Sequence, residues 1–219
     1  MSVVTIERKV LEKNDAFAAM NRDALVRQGV FTINMVSSPG AGKTALLERT
    51  IAHLDGVLRL AVVEGDVQTD LDAQRVAKYG VPVVQIVTNG GCHLEARLVQ
   101  DALSRLDLAG TDVLVIENVG NLVCPANFDL GEDLKVVVLS VTEGDDKPLK
   151  YPAMFQRASV LVINKVDLVP YVDADVAAIR RHARLANPDL QVFETSCRSG
   201  EGIAEWSEWL AAQAGRRRG

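Results

Sequence analysis

Seven short apolar runs punctuate the chain: Phe31 to Val36, Leu60 to Val63, Val83 to Val87, Val113 to Ile116, Val136 to Val141, Val160 to Ile163 and Leu190 to Phe193. Each is followed by a more polar stretch of helical period. A strand covered by helices on both faces has no solvent side, so it reads as unbroken Val, Ile and Leu rather than as an alternation. The pattern predicts an α/β fold, a doubly wound and mostly parallel sheet of about seven strands with helices on both faces. Ahead of the first run, Ile6 to Arg27 is rich in helix formers and sets Val10, Phe17, Met20 and Ala24 where they can share a face, which predicts a leading helix packed on the domain. No linker or repeat interrupts the 219 residues. The expectation is a single domain, with a helical extension over residues 1–29, a core over residues 30–210 and a basic tail over residues 211–219.

A net charge of −5 gives the folded body no broad attraction for nucleic acid or an anionic membrane. Only Arg216, Arg217 and Arg218 are locally basic, and three arginines after a helix read as a solvated end. The longest apolar runs fall far short of the ~20 residues that a membrane-spanning helix needs. The opening MSVVTIERKV has no apolar stretch leading to a small-residue cleavage site. Three cysteines, an odd number, fit a reducing compartment, so the expected location is the cytoplasm.

The first run leads into Ser37-Ser38-Pro39-Gly40-Ala41-Gly42-Lys43-Thr44-Ala45, the last of these already in the helical run ALLERTIAHL. Strand, glycine loop and helix come in the order a phosphate cradle requires. Gly40 and Gly42 let backbone N–H groups turn inward on phosphates, and the helix N-terminus adds partial positive charge. Lys43 would reach the β- and γ-phosphates, and Thr44 would offer its hydroxyl to Mg²⁺. Ser37 stands where the usual pattern has its first glycine. After the second run, Glu64-Gly65-Asp66 puts a carboxylate at a strand end, which makes Asp66 a Mg²⁺ candidate. After the fourth, Glu117-Asn118-Val119-Gly120 places Glu117 to hold Mg²⁺ directly or through water, with Gly120 facing the γ-phosphate. Either acid is otherwise a solvated strand end. Gln68 and Asp70 are candidates for orienting an attacking water.

Asn164-Lys165-Val166-Asp167 directly follows the apolar SVLVI. A carboxylate at Asp167 accepts from both N1 and the 2-amino group of guanine, a donor pair that adenine lacks, so the expected ligands are GTP and GDP. Ser196-Cys197-Arg198, after the last strand, can close over the purine, with Cys197 as its small residue.

Cys92 and His93 stand side by side just before a predicted helix, and Cys124 lies seven residues after Glu117. Two thiolates and an imidazole suit Ni²⁺ or Zn²⁺ far better than Mg²⁺. A helix N-terminus near Cys92 would lower its thiol and favour the ligating form. Alone, three such residues over 33 positions are more often core cysteines than ligands. Both pieces, however, fall in loops after what read as neighbouring strands, on the nucleotide side of the sheet.

Together SSPGAGKT, EGDVQTD, GCHLEA, ENVGNLVCPANFDLGE, TEGDDKP, NKVDL and TSCRSGEG resemble the nickel-incorporation GTPases of hydrogenase maturation, the HypB family of SIMIBI-class P-loop GTPases, over nearly all of residues 30–210. The resemblance implies a GTP-hydrolysing metallochaperone in which Cys92, His93 and Cys124 bind Ni²⁺ or Zn²⁺. It further implies a homodimer promoted by GTP or metal, and as partners a hydrogenase maturation protein and the hydrogenase large subunit. Lys43, Thr44, Asp66 and Glu117 match the family's phosphate and Mg²⁺ residues. Some members carry an N-terminal Cys-x-x-Cys-Gly-Cys site or a histidine tract. The first 30 residues here hold neither cysteine nor histidine, so a separate nickel donor is expected. Two other readings stand beside this one: the urease-maturation GTPase, which usually has a Cys-Pro-His cluster, and a regulatory nucleotide switch with structural cysteines.

Overall fold

The computed structural model of the chain describes residues 6–218. The apolar runs are strands, β1 Phe31–Ser37, β2 Leu60–Asp66, β3 Val83–Val87, β4 Val113–Glu117, β5 Leu134–Ser140, β6 Val160–Asn164 and β7 Gln191–Thr195. They form one sheet in the order β3-β2-β4-β1-β5-β6-β7, and every pairing is parallel. The helices are α1 Ile6–Arg27, α2 Lys43–Leu54, α3 Leu71–Ala77, α4 Ala96–Leu103, α5 Lys147–Lys150, α6 Pro152–Arg157, α7 Val176–Ala186 and α8 Ile203–Arg218. None of those described is long and apolar enough to cross a membrane.

The sheet is buried on both faces, as its unbroken apolar runs require. On one side Ile33, Met35, Val115 and Val138 pack with Leu46 and Leu47 of α2 and Trp206 and Leu210 of α8. On the other, Val137, Leu139 and Leu161 meet α6 and α7, while Ala61, Val63, Leu114 and Ile116 meet α4 and Leu25 of α1. Trp206 also donates from Nε1 to Thr50 Oγ1 at 2.9 Å, which ties α8 to α2. The residues expected as a basic tail continue α8: Ala214 is buried, and Arg217 pairs with Asp133 at 3.1 Å.

The leading helix is present over the expected residues, but it docks on a different face. Val10 and Met20 are exposed, and Asn14, Ala18, Asn21 and Leu25 are buried. This face is held largely by hydrogen bonds. Asn14 accepts from the Ala96 amide at 2.8 Å and donates to the Asp129 carbonyl at 2.7 Å. Asn21 donates to the carbonyls of Ala96 and Leu130 at 2.8 and 3.0 Å, and Arg22 grips both Asp129 carboxylate oxygens. A search for apolar periodicity passes over such a face, because its contact atoms are amides. Thus α1 clamps the start of α4 to the segment ahead of β5.

Gly131 permits the clamp to close. Its φ is +96°, and a Cβ there would lie 2.8 Å from the Ala18 carbonyl and 2.9 Å from the Arg22 amide. Gly131→Ala is expected to destabilise the fold by about 2 kcal/mol or more, since left-handed strain alone costs on the order of 1–3 kcal/mol and α1 must also back away. Chemical unfolding with limited proteolysis at α1 checks this. An unchanged midpoint would show that α1 contributes little to the clamp.

Candidate functional site

The loop between β1 and α2 bends through Gly40 and Gly42, with φ of +78° and +97°. At Gly42 a Cβ would lie 2.6 Å from Asn164 Nδ2, so only glycine lets Asn164 approach. Asn164 donates to the Ala41 carbonyl at 3.0 Å, and Lys165 donates to the Gly40 carbonyl at 2.7 Å. A cavity of about 410 Å³ opens over this loop, lined by Pro39, Gly40, Gly42, Lys43, Thr44, Ala45, Asp66, Glu117 and Gly120 with Lys165. Ala41 is buried beneath it. The cavity lies over the start of α2, where unpaired amides and the helix dipole favour an anion.

Ser37, at the position of the missing glycine, accepts from Lys43 Nζ at 2.9 Å and so aims the ammonium. Thr44 Oγ1 donates to Glu117 Oε1 at 2.9 Å, and Lys43 Nζ stands 3.9 Å from the same oxygen. Glu64, unremarked in the sequence, lies beside Glu117 in the β2–β4 register. Burial and then the charge of Glu117 push Glu64 up to about 11, and burial also raises Glu117. Each keeps an Oε2 that is buried without a partner. An acid in the midst of a Val-rich strand was the legible signal for Glu64. Asp66 commits Oδ1 to its own loop, accepting from the amides of Gln68 and Thr69 and from the Thr69 hydroxyl. Burial alone would raise Asp66, but those bonds outweigh it and hold the carboxyl below its ordinary value. Gln68 and Asp70 are exposed and outside the cavity lining; Asp72 and Arg75 border it instead, Arg75 being paired with Glu48 and Asp72 at 2.7 and 2.9 Å.

The residues expected to recognise the base form a second group beside the cavity. Ser196 Oγ donates to Asp167 Oδ1 at 2.6 Å, and Thr195 Oγ1 to Asn164 Oδ1 at 3.2 Å. Cys197 Sγ lies 3.5 Å from Asn164 Oδ1, its carbonyl accepts from Arg49, and Arg198 is exposed. Lys165 adopts a left-handed φ of 62°, which turns the chain sharply between β6 and Asp167.

Cys92, His93 and Cys124 converge, their ligand atoms all within 4.8 Å of one another. Cys92 Sγ is 3.5 Å from His93 Nδ1, and the imidazole packs on Phe128 with ring centroids 4.0 Å apart. His93 Nε2 is buried without a partner. The loops that carry the set follow β3 and β4, which are not neighbours, since β2 lies between them. They meet over the end of β2, where Asn121 Nδ2 donates to the Cys92 carbonyl at 3.2 Å. The expected lowering of the Cys92 thiol does not occur. The adjacent Cys124 sulfur, and then burial, raise it, and the start of α4 lies three residues beyond His93. Burial lowers His93.

Residues 31–194 match the CobW/HypB/UreG nucleotide-binding domain. The chain is 55% identical over 215 residues to the hydrogenase maturation factor HypB of Azotobacter vinelandii, covering 98% of this chain and 71% of that one. It is 49% identical over 211 residues to HypB of Escherichia coli K12, covering 96% and 73%. The crystal structure of HypB from Helicobacter pylori in complex with nickel superposes with a TM-score of 0.89 at 38% identity, covering 93% of this chain and 96% of that one.

Were this set to ligate a divalent ion, its thiol chemistry would set a pH dependence. A raised Cys92 keeps its proton at neutral pH and must release it on ligation, whereas His93, lowered, is already neutral there. Affinity for Ni²⁺ or Zn²⁺ should therefore climb with pH by about tenfold per unit for each proton released, and level off only above the raised Cys92 value. Chelator competition across neutral to alkaline pH measures the slope. A flat profile would remove Cys92 from the ligand set.

Proposed function

We infer, because this chain belongs to the HypB hydrogenase maturation factors of the CobW/HypB/UreG family, that it is a GTP-hydrolysing carrier that assists nickel insertion into nickel–iron hydrogenase. The observation that carries this reading is the shared segment 117–124. It begins at Glu117, hydrogen-bonded to Thr44 of the phosphate loop, and ends at Cys124 in the metal set.

In this reading Lys43 compensates the charge that develops on the transferred phosphoryl group. Thr44, Glu117 and Asp66 would hold Mg²⁺, and the unpaired Oε2 of Glu117 suits a hard cation better than it suits burial alone. Mg²⁺ bound there would neutralise the phosphate oxygens. Asp167, held by Ser196, presents its carboxylate to the guanine N1 and 2-amino donors. Nickel, or zinc in its place, is cargo on Cys92, His93 and Cys124. Purely structural cysteines are packed in apolar surroundings, whereas Cys92 is exposed. Three protein ligands leave an ion under-coordinated, and with Val123 61% exposed beside them a second copy on a two-fold axis can complete the set. GTP and metal would each favour that homodimer. Three free thiols support a cytoplasmic setting.

Two measurements test this. Asp167→Asn should shift preference from GTP toward xanthosine triphosphate, whose 2-oxo group reverses the donor pattern. Equal binding of ATP and GTP by the wild type would sink the assignment. Nickel affinity and sedimentation, compared between GDP and a non-hydrolysable GTP analogue, should both depend on the nucleotide. Cys124→Ala should weaken nickel and leave GTP binding intact. Identical nickel affinity and identical mass in the two nucleotide states would leave a GTPase without a coupled cargo site.

A further inference from the structure

A continuous buried polar chain runs beneath the metal set, and its two ends hold different ligands. Asn118 is 1% exposed and directly follows Glu117. Its Oδ1 accepts from the amides of Leu94 and Val119, both at 3.0 Å, and its Nδ2 donates to Asn34 Oδ1 at 3.2 Å. Asn34 Nδ2 donates to Glu132 Oε1 at 3.1 Å, and that oxygen lies 3.6 Å from Lys135 Nζ. Lys135, 7% exposed, donates to the carbonyls of Pro125 and Phe128 at 3.0 and 3.2 Å.

At the first end, Leu94 is the residue after His93. It is fully buried, and its side chain covers Gly65, where a Cβ would lie 2.8 Å away. The Cys92–His93 loop is thus fastened to Gly65, which precedes Asp66, and to Asn118, which follows Glu117. Gly120, two residues on from Asn118, lies against the phosphate loop, with a built Cβ 3.1 Å from Pro39. A γ-phosphate that displaces residues 119–120 must therefore disturb the atom that holds Leu94. The other end is anchored differently. The turn carrying Cys124 and Phe128 is gripped by a buried ammonium at the start of β5, which lines no part of the phosphate cavity.

We propose that Asn118 is the positioning residue through which the bound nucleotide moves Cys92 and His93, while Lys135 holds Cys124 still. The metal set then has a responsive half and a fixed half, and the nucleotide state changes the distance between them. This rests on the nucleotide-linked nickel carrier proposed above.

The test measures nickel affinity and the thiolate-to-nickel charge-transfer absorption with GDP and with a GTP analogue. In the wild type the two affinities should differ by ~5–150-fold, the ordinary size of such couplings. Asn118→Leu keeps the shape and loses the acceptor, so the ratio should fall to about one and the two spectra should coincide. Asn118→Asp keeps an acceptor for the Leu94 amide but loses the donor to Asn34, so it should restore the ratio only in part. Lys135→Met should weaken nickel equally in both states and leave the ratio as it was. Hydrogen exchange on the unmodified protein provides an arm that does not depend on any variant folding: the Leu94 amide should change protection with nucleotide while residues 125–128 do not. A wild type with no nucleotide dependence would overturn the carrier reading itself. A wild type with that dependence would overturn the relay alone if Asn118→Leu retained it, or if exchange changed at 125–128 and not at Leu94.

Discussion

Parallel pairing brings the C-terminal ends of all seven strands to one edge, and what this chain does depends on what collects there. The phosphate loop leaves β1, the acids end β2 and β4, Asn164 ends β6, and the cysteine loops leave β3 and β4. Residues distant in sequence become neighbours without a bespoke arrangement. The central position of β1 sharpens the effect, since β4 and β5 flank it and carry Glu117 and the segment next to Lys135.

The interior between that edge and the start of β5 is unusually polar. Lys43, Glu64, Glu117, Glu132 and Lys135 are all buried. Burying charge is tolerable only when it is matched by partners or neutralised by a proton. Glu64, pushed up to about 11, keeps its proton, and the two buried lysines find their matching groups on separate elements. Ser37 and Glu117 face Lys43, and backbone carbonyls with Glu132 surround Lys135. Removing one partner strands the other, so the network holds its members at defined distances. The Cys92, His93 and Cys124 cluster built on top of it inherits that definition.

The strands and the phosphate loop were legible because their determinants are local: apolar runs of strand length, and two glycines before a lysine at a helix start. The convergence of Cys92, His93 and Cys124 was legible only as loops on a common side. Strand order is a long-range property, so the separation of β3 from β4 by β2 could not be read from spacing. The docking face of α1 was misread for a related reason. Asn14 and Asn21 bind backbone groups that carry no sequence signature, while Val10 and Met20, which fit an apolar stripe, face solvent. The thiol of Cys92 was misjudged because its nearest influence is a second sulfur 32 residues away in sequence, not the dipole of α4.

In the proposed carrier, the placement of Cys92, His93 and Cys124 at the rim bears on exchange kinetics. Cys92 is open to solvent and Cys124 and His93 are only partly covered, so an ion there leaves coordination positions facing outward. Departure then need not wait for a bare ion to escape into water. An incoming donor can bind first and displace the protein's ligands one at a time, so that no single step breaks every bond. Residence time becomes a property of the acceptor's approach as much as of the site, and firm holding becomes compatible with quick release.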